Sequence, residues 1–296
     1  MAVVGLVAIG TVCRTRKEFD PVAQTANNPS DGHGQNAVPL TGAGHARTTG
    51  RWLIRGPARP GGPRLFCFPH GGGAAAEFAR WSRLLPHVEI NAVQLPGRGS
   101  RLAEPVLTRM DELVAAVVGV LSTGTPYSMF GHSFGALVAY EVTRELRRAG
   151  RVLPDHLIVS GFPAPSTPRH EPPIHHLPDD ELIAEVARRH GGLSGEILAD
   201  PGRKARIARY LRADYQILET YAWRAEDPLP VPLTVFGGSD DTIGAEALRA
   251  WQRHVTGEIT LRCFPGDHFY FRQHKATVLN ALAGVVRTTA PADRAA

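Results

Sequence analysis

From Arg51 onward, short apolar runs alternate with longer stretches of helical period, and this alternation restricts the fold more than any other feature of the chain. The runs beginning at Arg64, Ile90, Tyr127, His156, Leu233 and Ile259 are too short for helices and rich in β-branched and aromatic residues. That pattern predicts strands buried on both faces. Between them, Thr108 and Asp111 have the spacing of a capping box opening a helix to Leu121, with Leu113, Val117 and Val120 on one side. A second helix is predicted from Ala136 to Ala149, closed by Gly150, and a third from His274 to Val286. Strand–helix alternation of this kind predicts a mostly parallel central sheet with helices on both faces.

Residues 166–226 break the rhythm. They contain two helical patterns, Asp179 to His190 and Arg203 to Tyr221, separated by Gly191 and Gly192, with no strand. A late helical insertion in such a chain predicts a lid over the carboxyl ends of the strands.

The chemistry is concentrated in three loops that follow predicted strands. Gly131-His132-Ser133-Phe134-Gly135 follows a strand and opens an amphipathic helix, which is the setting of a nucleophile elbow and predicts an α/β-hydrolase fold. The sharp turn exposes the Ser133 hydroxyl, and the flanking glycines let neighbouring backbone come close. A serine needs a base, and the base needs an orienting carboxylate. The chain order expected of this fold is serine, acid, histidine. Gly237-Gly238-Ser239-Asp240-Asp241 and Phe264-Pro265-Gly266-Asp267-His268 follow the fifth and sixth predicted strands and supply them in that order. Asp240 is taken as the acid and His268 as the base, with Asp241 the competitor for the acid's place. Phe68-Pro69-His70-Gly71-Gly72-Gly73 follows the first predicted strand, and its glycine backbone is suited to an oxyanion. The Gly71 amide, with that of Phe134, is the expected donor pair. The run is no phosphate loop, because no Gly-Lys-Ser/Thr follows it.

The rest of the chain is less specific. Residues 1–48 show no hydrophobic period and predict a disordered leader; 49–287 form the domain and 288–296 a tail. The apolar stretch Met1 to Cys13 has no basic residues before it and falls short of the ~20 residues needed to span a bilayer. The net charge of +5 comes from scattered arginines, which does not mark a nucleic-acid surface. The three cysteines show neither a pairing framework nor metal-ligand spacing, so a cytoplasmic protein without metal or cofactor is expected.

Taken together, the Phe68–Gly73 run, Trp81, Gln94-Leu95-Pro96-Gly97-Arg98, the serine motif, His176–Glu181, Leu211-Arg212-Ala213-Asp214-Tyr215 and Phe264–Phe269 resemble the type II thioesterases of polyketide and nonribosomal peptide pathways. The resemblance runs from about Arg51 to Val286 and is carried most specifically by the Gln94–Arg98 run and the insertion residues. It implies a stand-alone, monomeric serine thioesterase that clears acyl or aminoacyl groups from the phosphopantetheine arm of an acyl or peptidyl carrier protein. The triad would be Ser133, Asp240 and His268, with the Gly71 and Phe134 amides as oxyanion hole. The chain departs from the family where proline often follows the acid (Asp241 here) and where glycine often precedes the histidine (Asp267 here). The first departure keeps the choice between Asp240 and Asp241 open. Three other functions are compatible with the constellation: a general carboxylesterase or lipase, an acyltransferase, and a non-catalytic binding module on the same fold.

Overall fold

Alternate residues of each central strand face opposite sides of the sheet, and both sides are apolar. In the computed structural model, which describes residues 51–57, 61–123, 126–191 and 199–288, seven strands form one sheet in the order β1-β3-β2-β4-β5-β6-β7. The strands are β1 (Leu53–Arg55), β2 (Arg64–Phe68), β3 (Glu89–Val93), β4 (Tyr127–His132), β5 (His156–Ser160), β6 (Leu233–Gly238) and β7 (Thr260–Phe264). All neighbours are parallel except β1, which pairs antiparallel with β3, Leu53 opposite Val93. Only three residues long, β1 is too short for its period to show in the sequence. The expected leader and nearly all of the expected tail lie outside the described residues.

On one side of the sheet, Phe66, Phe68, Met129, Leu157, Val159 and Val235 pack under α2 (Met110–Val120) and α3 (Phe134–Arg148). On the other, Leu65, Cys67, Phe130, Ile158 and Phe236 meet Phe78 of α1 (Ala75–Ala79), Trp81, and Val278 and Leu282 of α8 (Lys275–Thr288). Each fully buried Phe or Leu contributes about 1.5–3 kcal/mol, so both layers stabilise the sheet that carries the loops. Gly150 closes α3 in the left-handed region, φ 62°, as predicted. The capping box at Thr108 does not form. Helix α2 starts at Met110, and the Arg109 guanidinium takes the Asp111 carboxylate at 2.6 and 3.1 Å.

The insertion contains α4 (Asp179–His190) and α5 (Pro201–Thr220). Asp200 caps α5 by accepting from the Arg203 amide at 2.7 Å, with Pro201 opening the helix. The two helices share an apolar cluster of Leu182, Ile183, Val186, Ala208, Leu211 and Tyr215. Ile217 and Leu218, at the end of α5, belong instead to the main core. One half of the insertion is therefore anchored in the domain itself. The short helices α6 (Ala245–Arg249) and α7 (Tyr270–Gln273) follow β6 and β7. Cys67 is a buried free thiol. Among the described residues, no helix is long and apolar enough to cross a membrane.

Candidate active site

Chain direction across the sheet switches at β2, where β3 lies to one side and β4 to the other. The loops after β2 and β4 therefore diverge and leave a crevice, the usual ligand position in open α/β sheets. Ser133 stands between β4 and α3 with φ 54° and ψ −122°, the one non-glycine residue at positive φ among the described residues. Such strain costs on the order of 1–3 kcal/mol and persists only where the surroundings impose it. Here the surroundings are backbone. A Cβ on Gly131 would lie 2.1 Å from the Gly135 carbonyl oxygen, and one on Gly135 would lie 2.1 Å from that of Phe68. The Ser133 amide donates to the Ser160 carbonyl at 2.7 Å.

His268 follows β7, and its Nδ1 donates to Oδ2 of Asp241 at 2.9 Å, with both side chains almost fully buried. The sequence reading put Asp240 in this role, and the structure corrects it. The Asp240 amide is tied to the Gly266 carbonyl at 2.9 Å, and its side chain is exposed. The turn after Gly238 thus delivers the next residue inward. Asp241 Oδ1 also accepts from the Ile243 amide at 3.4 Å, which orients the carboxylate. Burial alone would raise the Asp241 carboxyl, but the hydrogen bond and charge of His268 outweigh it and hold the group below its ordinary value. An ionised Asp241 can only accept, so Nδ1 of His268 carries the proton and Nε2 is the basic nitrogen. Asp267 turns away, accepting from the Phe269 amide at 2.8 Å and the Gln273 side chain at 3.0 Å.

The glycine loop after β2 has its amides divided. Gly72 donates to Asp214 Oδ2 at 2.8 Å, and Gly73 to the His70 carbonyl at 2.8 Å. Among the described residues the Gly71 amide has no protein acceptor, and a Cβ on Gly71 would sit 3.9 Å from that of Phe134. Gly71 and Phe134, the first residue of α3, are thus neighbours at the elbow, as the sequence suggested.

Three features of the site were not legible in the sequence. His268 is flanked by two other imidazoles, with ring centroids 5.0 Å away for His132 and 4.6 Å for His190. His132 is fully buried, its Nδ1 2.8 Å from the Ser160 hydroxyl, which in turn bonds the Tyr270 hydroxyl. Burial first, then the charge of His268, keeps His132 neutral. The same causes push His190, from the end of α4, down to about 3. Beside the loop, Arg272 donates to Glu77 at 2.6 and 2.9 Å, and His70 Nε2 lies 3.2 Å from the same carboxylate. Burial opposes ionisation of Glu77, yet the bonds to His70 and Arg272 bring it down to about 2. Finally, Arg98 and Asp214 form a buried bidentate pair. The only hint of this pair was that both residues lie in runs resembling the family.

Ser133, His268, Gly71 and Gly72 line one cavity of about 1430 Å³, which His190 and Tyr215 of the insertion help to wall. Among the described residues, no group of three or more His, Cys, Asp or Glu is set to hold a metal ion. A strained serine, an imidazole oriented by a carboxylate and a glycine amide without an acceptor among the described residues can together carry out acyl transfer.

Sheet order, elbow and loop positions define an α/β-hydrolase. Within that class, the thioesterase domain family model matches residues 63–286. The chain is 34% identical over 228 residues to the gramicidin S biosynthesis protein GrsT of Aneurinibacillus migulanus, spanning 76% of this chain and 89% of that one. It is 36% identical over 241 residues to thioesterase PikA5 of Streptomyces venezuelae, 79% and 85% of the two chains. The solved structure of the type II thioesterase BorB, from the borrelidin biosynthetic cluster, superposes with a TM-score of 0.69 at 36% identity, covering 80% of this chain and 96% of that one. The chain belongs to the thioesterase family and is a thioester hydrolase.

Proposed function

We propose that this enzyme removes acyl or aminoacyl groups from the phosphopantetheine arm of carrier proteins, regenerating stalled polyketide or nonribosomal peptide synthases through an acyl-enzyme on Ser133. The observation that supports this most is that the strained Ser133, His268 held by Asp241, and Gly71 all line one cavity, with Gly71 next to Phe134. The named biosynthetic roles of GrsT and BorB support the carrier as substrate. Carriers of this kind work in the cytoplasm, and we place the enzyme there with them.

In the first half-reaction, Ser133 Oγ attacks the thioester carbonyl carbon while His268 Nε2 takes its proton. The oxygen's developing charge falls to the Gly71 and Phe134 amides, each such donor being worth roughly 3–4 kcal/mol of transition-state stabilisation. The C–S bond breaks and His268 returns its proton to the departing sulfur. In the second half-reaction, His268 deprotonates water, which attacks the serine ester; the acyl–Oγ bond breaks, His268 returns the proton to Ser133 Oγ and the acid is freed. Asp241 holds the imidazole and stabilises its cationic form. The cavity is larger than the ~300–1,000 Å³ of an ordinary small-molecule pocket, which suits a pantetheine arm together with its acyl chain. We assign the α4–α5 insertion the part of a lid over this cavity.

The test is mass spectrometry of acetyl- and propionyl-loaded carrier protein incubated with the wild type and with Ser133→Ala. The expected result is prompt loss of the acyl mass with the wild type alone. Carriers that stay loaded while simple oxygen esters are cleaved would replace this reading with a carboxylesterase.

A further inference from the structure

The Gly72 amide is held by a carboxylate from the insertion, 142 residues away in the chain. Asp214 Oδ2 accepts from that amide at 2.8 Å and from Arg98 Nη1 at 2.6 Å, while Oδ1 accepts from Arg98 Nη2 at 2.6 Å. Arg98 Nη1 also reaches the Gly73 carbonyl at 3.2 Å. The two side chains are 3% and 2% exposed. Gly72 has φ 73°, and a Cβ there would lie 2.9 Å from Leu211, three residues before Asp214 on α5. The Arg98 guanidinium is braced over Tyr210 at 4.8 Å, and its carbonyl accepts from Gln94 at 3.1 Å. Gln94 in turn accepts from the Ala75 amide at the far end of the same loop, at 3.3 Å.

We propose that Asp214 is a positioning residue for the oxyanion hole: by claiming the Gly72 amide it fixes the peptide orientation that leaves the Gly71 amide beside that of Phe134, while Arg98 neutralises its buried charge. Glycines impose little conformational preference of their own, so the loop's shape must be set by its partners. Replacing a buried ion pair with apolar groups of similar volume is often neutral for stability, so packing alone gives no reason to keep this one. What only the pair supplies is an acceptor for the Gly72 amide at the point where a donor must face the substrate. The α5 half of the insertion is then a fixed wall wired to the catalytic loop.

The inference rests on the oxyanion role given above to Gly71, and the test reads it apart from the choice of substrate. Two double variants both remove the buried charges. Arg98→Met with Asp214→Asn keeps an oxygen for the Gly72 amide; Arg98→Met with Asp214→Leu does not. The readouts are thermal unfolding, kcat and KM on a small acyl thioester, and the rate of Ser133 phosphonylation by a fluorophosphonate, which uses the same hole and needs no carrier. The Asn variant is expected to stay within about fivefold of wild-type kcat. The Leu variant is expected to lose kcat and the labelling rate roughly 30- to 300-fold at nearly unchanged KM, since oxyanion donors act chiefly in the transition state. A folded Leu variant with wild-type kcat, or with its loss confined to KM, would overturn the proposal. So would a hundredfold loss of kcat in the folded Asn variant. Wild-type activity toward loaded carriers is a separate result and bears on the substrate alone.

Discussion

Asp240 and Asp241 are adjacent in sequence and have opposite environments. The Asp240 amide donates a hydrogen bond to the Gly266 carbonyl and its side chain faces solvent, while the following side chain enters the protein to meet His268. Asp241→Asn preserves the shape but no longer holds the imidazole in the required tautomer, so kcat is expected to fall by roughly 10⁴-fold, the loss seen when a triad carboxylate is made an amide. Asp240→Asn is expected to leave kcat within about twofold, as for an exposed group remote from the reacting atoms. Steady-state kinetics of the two variants on one thioester check both expectations. Loop composition identifies a carboxylate after β6, but the φ and ψ of the turn decide which of two neighbours points inward. Those angles depend on contacts with the β7 loop that no local pattern encodes. His190 escaped notice for a similar reason: its meeting with His268 depends on how α4 lies over the sheet, which helical period does not specify.

The elements themselves were readable to within a few residues because period and burial agree. The strands beginning at Arg64, His156 and Leu233 appear at their predicted starts, and α4 at its predicted limits, Asp179–His190. Gly131 and Gly135 mark the elbow since any side chain there would strike backbone. Missing from the sequence reading were elements whose cause lies elsewhere in the fold. Strand β1 exists because β3 offers an unpaired edge. At the predicted cap, Arg109 takes the N-cap position and Asp111 binds its guanidinium. The link from α5 to the glycine loop is likewise a tertiary fact, with Arg98 and Asp214 separated by 116 positions.

Among the described residues, buried and half-buried histidines contribute to the response to acid. Burial pushes His156 and His254 down to about 4 and His190 to about 3, and it keeps His132 well below its ordinary value. Above the unfolded value of about 6.5 both states are neutral at these positions and stability is unaffected. Below it the unfolded chain binds protons that the folded protein refuses, so stability falls as pH falls, by at most about 1.4 kcal/mol per histidine per pH unit. Glu77, held at about 2, adds a loss of the same sign once the pH drops through the ordinary carboxylate range. Thermal stability is expected to be level from pH 8 to 7, to decline below 6.5 and to go on falling to pH 5. Melting curves across that range check this, and a flat profile down to pH 5 would contradict it.

The measurement closest to the central claim is the site of fluorophosphonate labelling in the full chain, mapped by peptide mass spectrometry with and without acyl-loaded carrier protein. Activation by His268 and the Gly71 and Phe134 amides should place a single phosphonyl adduct on Ser133, absent in Ser133→Ala and slowed by the loaded carrier. An adduct on another residue, or unchanged labelling of Ser133→Ala, would contradict the account.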